Sequence, residues 1–323
     1  VILLTGATGN TGSEIARQLL ARGVAFKAMA RTAHARRALE DKGIPAVAGD
    51  FDDPSSLAPA LAGVDRAYLV STPDETLIDR ELAFIDAAKR AGVRHVVKCS
   101  AILADETSES PNLRSHAVIE RALRRSGVAW TILRPHAFMQ TFTLFSWDLI
   151  CEAGVISAPH GDGMMPLVDV RDVAALAAKT LTEPGHEERC YDVSGPEALS
   201  MWDMAEVLTR VLRRPVSYVE GSARSMELMM RALGVPEVPR KHVDVAARLV
   251  RENRVAKVND TLIEHGVKPT TYEQFLLDWV AGKTGGGNSF KLPDTRLARA
   301  LSAAMPKLMK LRIALGGRPQ RPS

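Results

Sequence analysis

The chain alternates short apolar runs with longer stretches of helical spacing. Val1–Leu4, Ala25–Ala30, Pro45–Gly49, Ala67–Val70, His95–Cys99 and Val128–Leu133 are runs of the length and composition that buried parallel strands need. Between them, Ser13–Leu20 puts Ile15, Leu19 and Leu20 on one helical face. Asp53 stands as a cap before Pro54 and a short helix over Ser55–Leu61. Leu77–Ala91 and Asn112–Ser126 read as helices closed by Gly92 and Gly127. Strand and helix keep alternating to about residue 150, which predicts an α/β fold with a doubly wound parallel sheet.

Beyond that point the pattern shortens. Pro166–Val168, Tyr191–Val193 and Val216–Val219 read as strands. Asp169 opens a helix with Asp172 three residues on, Ser200 pairs with Asp203 in the same way, and Thr270 with Glu273 ahead of Phe275–Val280. Val207, Leu208, Val211 and Leu212 form the buried stripe of the helix that Ser200 caps. The expected organisation is a nucleotide-binding domain over 1–156, a smaller α/β substrate lobe over 157–285 interleaved with it, and a tail over 286–323.

The first strand runs into Gly6, Gly9 and Gly12, spaced by three, and then into a helix. Strand, glycine turn and helix begin a dinucleotide-binding unit. Gly6 allows the tight turn, Gly9 lets a pyrophosphate approach the backbone, and Gly12 lets the helix pack against the strand. Thr8, Asn10 and Thr11 complete this candidate phosphate site, where free N–H groups and the helix dipole attract anions. Nineteen residues past Gly12, where an NAD site carries a carboxylate for the ribose 2′-hydroxyl, stands Arg31, followed by Arg36 and Arg37. A guanidinium grips a 2′-phosphate by paired hydrogen bonds and a carboxylate repels it, so NADP(H) is the expected cofactor. Ser71, Thr72 and Pro73 follow the fourth strand at its carboxyl end, where open α/β sheets bind ligands.

Composition narrows the class. With 46% hydrophobic residues in 323, a sizeable core is available, yet no apolar run approaches a membrane span of roughly 18 residues. The first strand starts at Val1, so no leader is expected, and Cys99, Cys151 and Cys190 are scattered, which points to a reducing, cytoplasmic setting without disulfides. The eight histidines never fall at metal-ligand spacing, so no metal is expected. The net charge of +4 hides an asymmetry: from Lys291 onward there are eight bases and one acid, leaving 34 bases and 37 acids before it. The body is mildly acidic, and no nucleic-acid partner is expected.

The wording GATGNTG and the string WTILRPHAFMQTF resemble the atypical short-chain dehydrogenase/reductases, and among them the NmrA-like group, over about residues 1–282. That resemblance implies redox-sensing regulators or NAD(P)H-dependent reductases. It places Asp50 and Phe51 in the adenine pocket and sets Pro135, Phe138, Met139 and Phe142 beside the nicotinamide and substrate. Phe145 and Trp147 extend the same apolar stretch.

Classical members pair a serine after the fifth strand with Tyr-x-x-x-Lys on the next helix. Ser100 stands at the serine position, but the helix offers His116 and Glu120 in place of tyrosine and lysine. Residues four apart share a helix face, so His116 is the candidate general acid with Glu120 to orient it or raise its pKa. Paired with Arg121 or Arg124, Glu120 would instead be structural. The expected activity is reduction of a small, flat, conjugated or quinone-like substrate. The alternatives are a non-catalytic NADP(H) sensor that binds a protein partner, or an assembly factor that kept only the fold.

The tail opens with Gly285-Gly286-Gly287 and carries Leu297, Leu301, Leu308, Met309 and Leu315 among basic residues. Two readings stand for it: docking on its own lobe or on a second subunit, or contact with an anionic membrane surface.

Overall fold

The computed structural model describes residues 1–282 except 141–142, 144–146 and 233. The basic tail, Phe142 and Phe145 lie outside the described residues.

Seven strands form one parallel sheet. In chain order they are β1 (Ile2–Leu4), β2 (Phe26–Ala30), β3 (Ala46–Ala48), β4 (Arg66–Leu69), β5 (His95–Cys99), β6 (Ala129–Pro135) and β8 (Arg189–Val193). Their spatial order is β3-β2-β1-β4-β5-β6-β8. The order reverses between β1 and β4, which opens a crevice at the carboxyl ends of those strands. Ile2 faces both Phe26 and Arg66, and Cys99 faces Leu133.

Both sheet faces are covered, and the period of two decides which residue goes where. Leu4, Tyr68, Val97 and Leu133 pack beneath α1 (Asn10–Ala21) and α7 (Val170–Thr182). Their neighbours Leu3, Leu69, Val96 and Ile132 pack on the other side with α3 (Leu57–Leu61), α4 (Leu77–Arg90) and α5 (Pro111–Arg125). In α1 the buried face is Ile15, Ala16 and Leu19, whereas Leu20 points outward, 40% exposed. The helix α2 (Ala33–Glu40) follows β2, and its cap Thr32 accepts from the Ala35 N–H. Asp53 caps a 3₁₀ turn over Pro54–Ser56, as its place before the proline implies.

The remaining elements build a lobe with its own core. They are α6 (Trp147–Ala153), β7 (Val155–Ile156), α8 (Met201–Leu212), β9 (Ser217–Tyr218), α9 (Ala223–Ala232), α10 (Glu237–Arg251) and α12 (Tyr272–Val280), whereas α11 (Thr261–Glu264), between the last two in the chain, sends Leu262 into the core of the main sheet. β7 and β9 pair in parallel. Ser200 and Asp203 form the full capping box of α8.

Four expectations for this half are corrected. Pro166–Val168 is not a strand; isolated bridges join Val168 to Phe138 and Met165 to Leu199. Tyr191–Val193 belongs to β8, the edge strand of the main sheet, and not to the lobe. Asp172 makes no capping box: its carboxylate accepts from the Thr270 backbone N–H at 2.7 Å and hydroxyl at 2.9 Å. Thr270 is thereby used up, and Thr271 caps α12 by accepting from Gln274.

Among the described residues, no helix is long and apolar enough to cross a membrane.

Candidate active site at the strand carboxyl ends

The glycine turn is built as tightly as its spacing implies. Gly6 has φ +61°, a conformation that favours glycine, and an added Cβ there would meet Val70 Cγ1 at 2.6 Å. A Cβ on Gly12 would lie 2.3 Å from the Gly6 carbonyl oxygen and 2.9 Å from the Ala7 nitrogen. Backbone, not a flexible side chain, therefore limits that position. Gly12→Ala should cost about 1–3 kcal/mol of stability by overpacking and weaken dinucleotide binding. Thermal melts with and without NADP measure both, and a wild-type melt with an unchanged cofactor shift would refute the tight packing. Gly9 caps α1 without a side-chain bond, leaving the N–H groups of the first turn to a ligand. Thr5 ties the turn to β4: its hydroxyl lies 2.9 Å from the Val70 carbonyl and accepts from the Val70 N–H.

The other sequence-derived residues line up along the same edge. Arg31 directly follows β2 and is exposed. The nearby carboxylate of Asp52 is held by Arg80 at 2.6 and 2.9 Å, which lowers its pKa below the usual carboxylate range. Asp50 is half-buried and accepts from the Asp52 N–H. Phe51 is half-buried, its ring 5.7 Å from that of Phe84. Thr72 and Pro73 are exposed, while Ser71 turns inward and donates to Glu81 at 3.0 Å. Pro135 ends β6 in register with Val193. Phe138 is half-exposed beside Val168. Met139, expected in the substrate pocket, is 1% exposed and belongs to the core of the lobe, as does the partly buried Trp147.

The helix of chemistry is wired differently from the expectation. Ser100 donates its hydroxyl to Glu120 at 2.6 Å, not to His116. Glu120 is buried in α5 and also accepts from Arg134 Nε at 2.8 Å and from Arg124 at 3.2 Å, while Arg121 pairs with Glu106. Arg134 approaches with two guanidinium nitrogens, and the paired carboxylate raises its pKa further. Glu120 is thus committed to holding β6 and the end of β5 onto α5.

His116 is half-buried, and its Nδ1 bonds to neither group. Its Nδ1 is buried without a hydrogen-bond partner, as is Asn112 Oδ1 one turn earlier. Desolvation first, then the positive charge of Lys98, pushes its pKa well below the ordinary 6.5. Near pH 7 the imidazole is neutral, so the expectation that Glu120 raises its pKa is corrected.

Lys98 and Glu81 belong to no motif that the sequence displays. Lys98 sits in the apolar strand HVVKC, wholly buried, 2.9 Å from Glu81 of α4. A lysine in an otherwise apolar buried strand was the available signal. Among the described residues no group of three or more metal-type ligands occurs.

Residues 1–276 match the NmrA-like family. The chain is 40% identical over 283 residues to the (4-alkanoyl-5-oxo-2,5-dihydrofuran-3-yl)methyl phosphate reductase of Streptomyces griseus, covering 87% of this chain and 97% of that one. It is 35% identical over 278 residues to the NAD(P)H azoreductase of Xenophilus azovorans, covering 85% and 96%. Among solved structures it is similar to the NADPH-dependent quinone oxidoreductase of Escherichia coli complexed with NADPH. That likeness has a TM-score of 0.78 and 27% identity, covering 87% of this chain and all of that one.

Proposed function

The chain belongs to the NmrA-like family, and from that premise we propose that it is an NADPH-dependent reductase of a small, flat, conjugated acceptor such as a quinone or an azo compound. The observation that carries this reading is the glycine turn, closed so tightly on its own backbone that only glycine fits, opening onto strand ends lined by the residues above. Relatives matched over nearly their whole length are named for NAD(P)H-dependent or other reductions, which supports it. The sensor alternative draws no support from those names.

The residues present fit the cofactor. Gly6, Thr8, Gly9, Asn10, Thr11 and Gly12 would hold the pyrophosphate on the first turn of α1. Arg31 would take the 2′-phosphate, Asp50 and Phe51 would flank the adenine, and Ser71, Thr72, Pro73 and Pro135 would line the remaining length. Bound there, NADPH supplies the hydride. His116 and Ser100 lie along α5 and the end of β5. His116 serves as a neutral hydrogen-bonding group, not as an imidazolium acid, and Ser100 is held by Glu120. A quinone or azo acceptor that has received a hydride is basic enough to take its proton from water, so the reaction does not depend on a strong protein acid. Phe138 and Phe142 remain candidates for the apolar wall, and the basic tail remains a candidate contact with a second subunit or an anionic surface.

Steady NADPH oxidation in the presence of a benzoquinone or an azo dye tests the activity; no turnover with either, at saturating cofactor, would sink it. For the cofactor, Arg31→Ala should weaken NADPH binding by about 1.5–3 kcal/mol, the range for a hydrogen bond to a charged group, and leave NADH binding alone. Equal losses for both nucleotides would take Arg31 off the 2′-phosphate.

A further inference from the structure

We propose that the buried Lys98–Glu81 pair is a positioning device: it fixes the ends of β4 and β5 beneath the cofactor cleft, acting through the Ser71 hydroxyl and the Cys99 carbonyl. This rests on the NADPH reading above and adds two residues that act through others.

Both side chains are 0% exposed, and they come from different elements, Lys98 from β5 and Glu81 from α4. The ammonium lies 2.9 Å from one carboxylate oxygen and 3.3 Å from the other. It is set in the layer that includes Leu69, Leu77, Phe84, Val96 and Ile119. Taking two ions out of water into such a layer is costly, and an apolar pair of similar volume commonly serves a core as well or better. Core stability alone therefore gives little reason for this pair.

Its outward bonds give a better one. Glu81 accepts from the Ser71 hydroxyl at 3.0 Å, and Lys98 donates to the Cys99 carbonyl. Ser71 opens the segment after β4, and Cys99 is the last residue of β5 before Ser100. Two adjacent strand ends are thus pinned from below by one neutral unit, at the edge where the cleft runs. Ser71 spends its only hydroxyl hydrogen inward, so its lone pairs are turned toward a ligand's donors.

The same charge reaches α5. His116 feels Lys98 from β5 and His242 from α10, with Asn112 on its own helix and the Glu81 carboxylate behind the ammonium. His242 Nδ1 is held by Ser110 at 2.9 Å, at the cap of α5. Burial depresses His116 more than Lys98 does, so removing Lys98 moves the histidine only part of the way back toward its ordinary value.

The experiment pairs Glu81→Leu with Lys98→Met in the full chain, which removes both charges and the acceptor of the Ser71 hydroxyl and leaves no lone buried ion. The expected result is a folded protein whose NADPH Kd rises about fivefold, the worth of one ordinary hydrogen bond. Ser71→Ala alone should give the same rise, and Ser71→Ala added to the paired variant should give no more. The His116 ring-proton resonance should titrate at higher pH in the paired variant. A purely structural pair would not couple to Ser71 in this way. Full additivity of the two losses, or an unchanged Kd in the paired variant, overturns the proposal. If the paired variant does not fold, Glu81→Asp keeps the charge but withdraws it by one methylene, and the same non-additivity with Ser71→Ala is required. Wild-type protein that binds no NADPH removes the cofactor reading and this one together; wild-type binding with unchanged variants removes only this one.

Discussion

Glu120→Ala is expected to cost about 3–5 kcal/mol of folding stability, the penalty for removing one partner of a buried ion pair. The carboxylate is 1% exposed and serves Ser100 at 2.6 Å, Arg134 at 2.5 and 2.8 Å and Arg124 at 3.2 Å. Deletion strands a guanidinium that has little water to turn to, since Arg134 is 23% exposed. It also frees Ser100 and loosens β6 from α5. Glu120→Gln keeps acceptor and shape while losing the charge, so it should cost less. Urea unfolding separates the two: the midpoint should fall for both, further for alanine, at constant slope. An alanine variant within 1 kcal/mol of wild type would show that the network is not what joins these layers.

Acid should unfold the protein between about pH 6.5 and pH 4. His95, His136 and His160 are buried, and desolvation brings each from the ordinary 6.5 to about 4. Their folded-state pKa values are depressed, so the unfolded chain binds the extra protons. Stability is complete above pH 6.5 and falls as pH drops through this window, by up to about 1.4 kcal/mol per pH unit for each histidine. Asp172 works the other way. Burial raises it from 3.8 to about 6, so it favours the folded state as pH falls and offsets about one histidine. His116 and His242 are depressed by burial in the same direction, so the net loss is at least two protons' worth across two units and approaches the whole stability of an ordinary domain. Equilibrium unfolding at pH 7, 6, 5 and 4 reads it directly, and a flat profile from 7 to 4.5 would mean that these rings are hydrated. Replacing Asp172 by asparagine should steepen the fall.

What could be read in advance was local. The alternation of Leu3 with Leu4 and of Val96 with Val97 between the two sheet faces follows from the chain's own period, and the glycine turn announces itself by spacing. What escaped depended on partners far along the chain. Tyr191 and its neighbours looked like any short strand, and nothing local says that they pair with Leu133. Asp172 and Thr270 each had a cap to make nearby and instead bonded each other, 98 residues apart. In the site, the i to i+4 spacing of His116 and Glu120 was real, but Arg134 comes up from β6 on the α5 side and takes the carboxylate. Lys98 was visible as a charge in an apolar strand, but its meaning waited on Glu81, which a different helix brings to it.

The placement of α7 and β8 also governs how the protein can be made. The apolar side of α1, with Ile15, Ala16 and Leu19, is closed by α7, whose Val173, Ala174 and Ala177 lie about 150 residues later. β6 likewise waits for β8, reached only after the chain has left to build part of the lobe. On a ribosome adding roughly 5–20 residues per second, the early half must therefore persist for many seconds with one greasy helix face and one open strand edge. Pairings of such sequence separation form slowly even in the finished chain. Until α7 and β8 emerge, that helix face and that strand edge are the surfaces on which a partly made chain would aggregate.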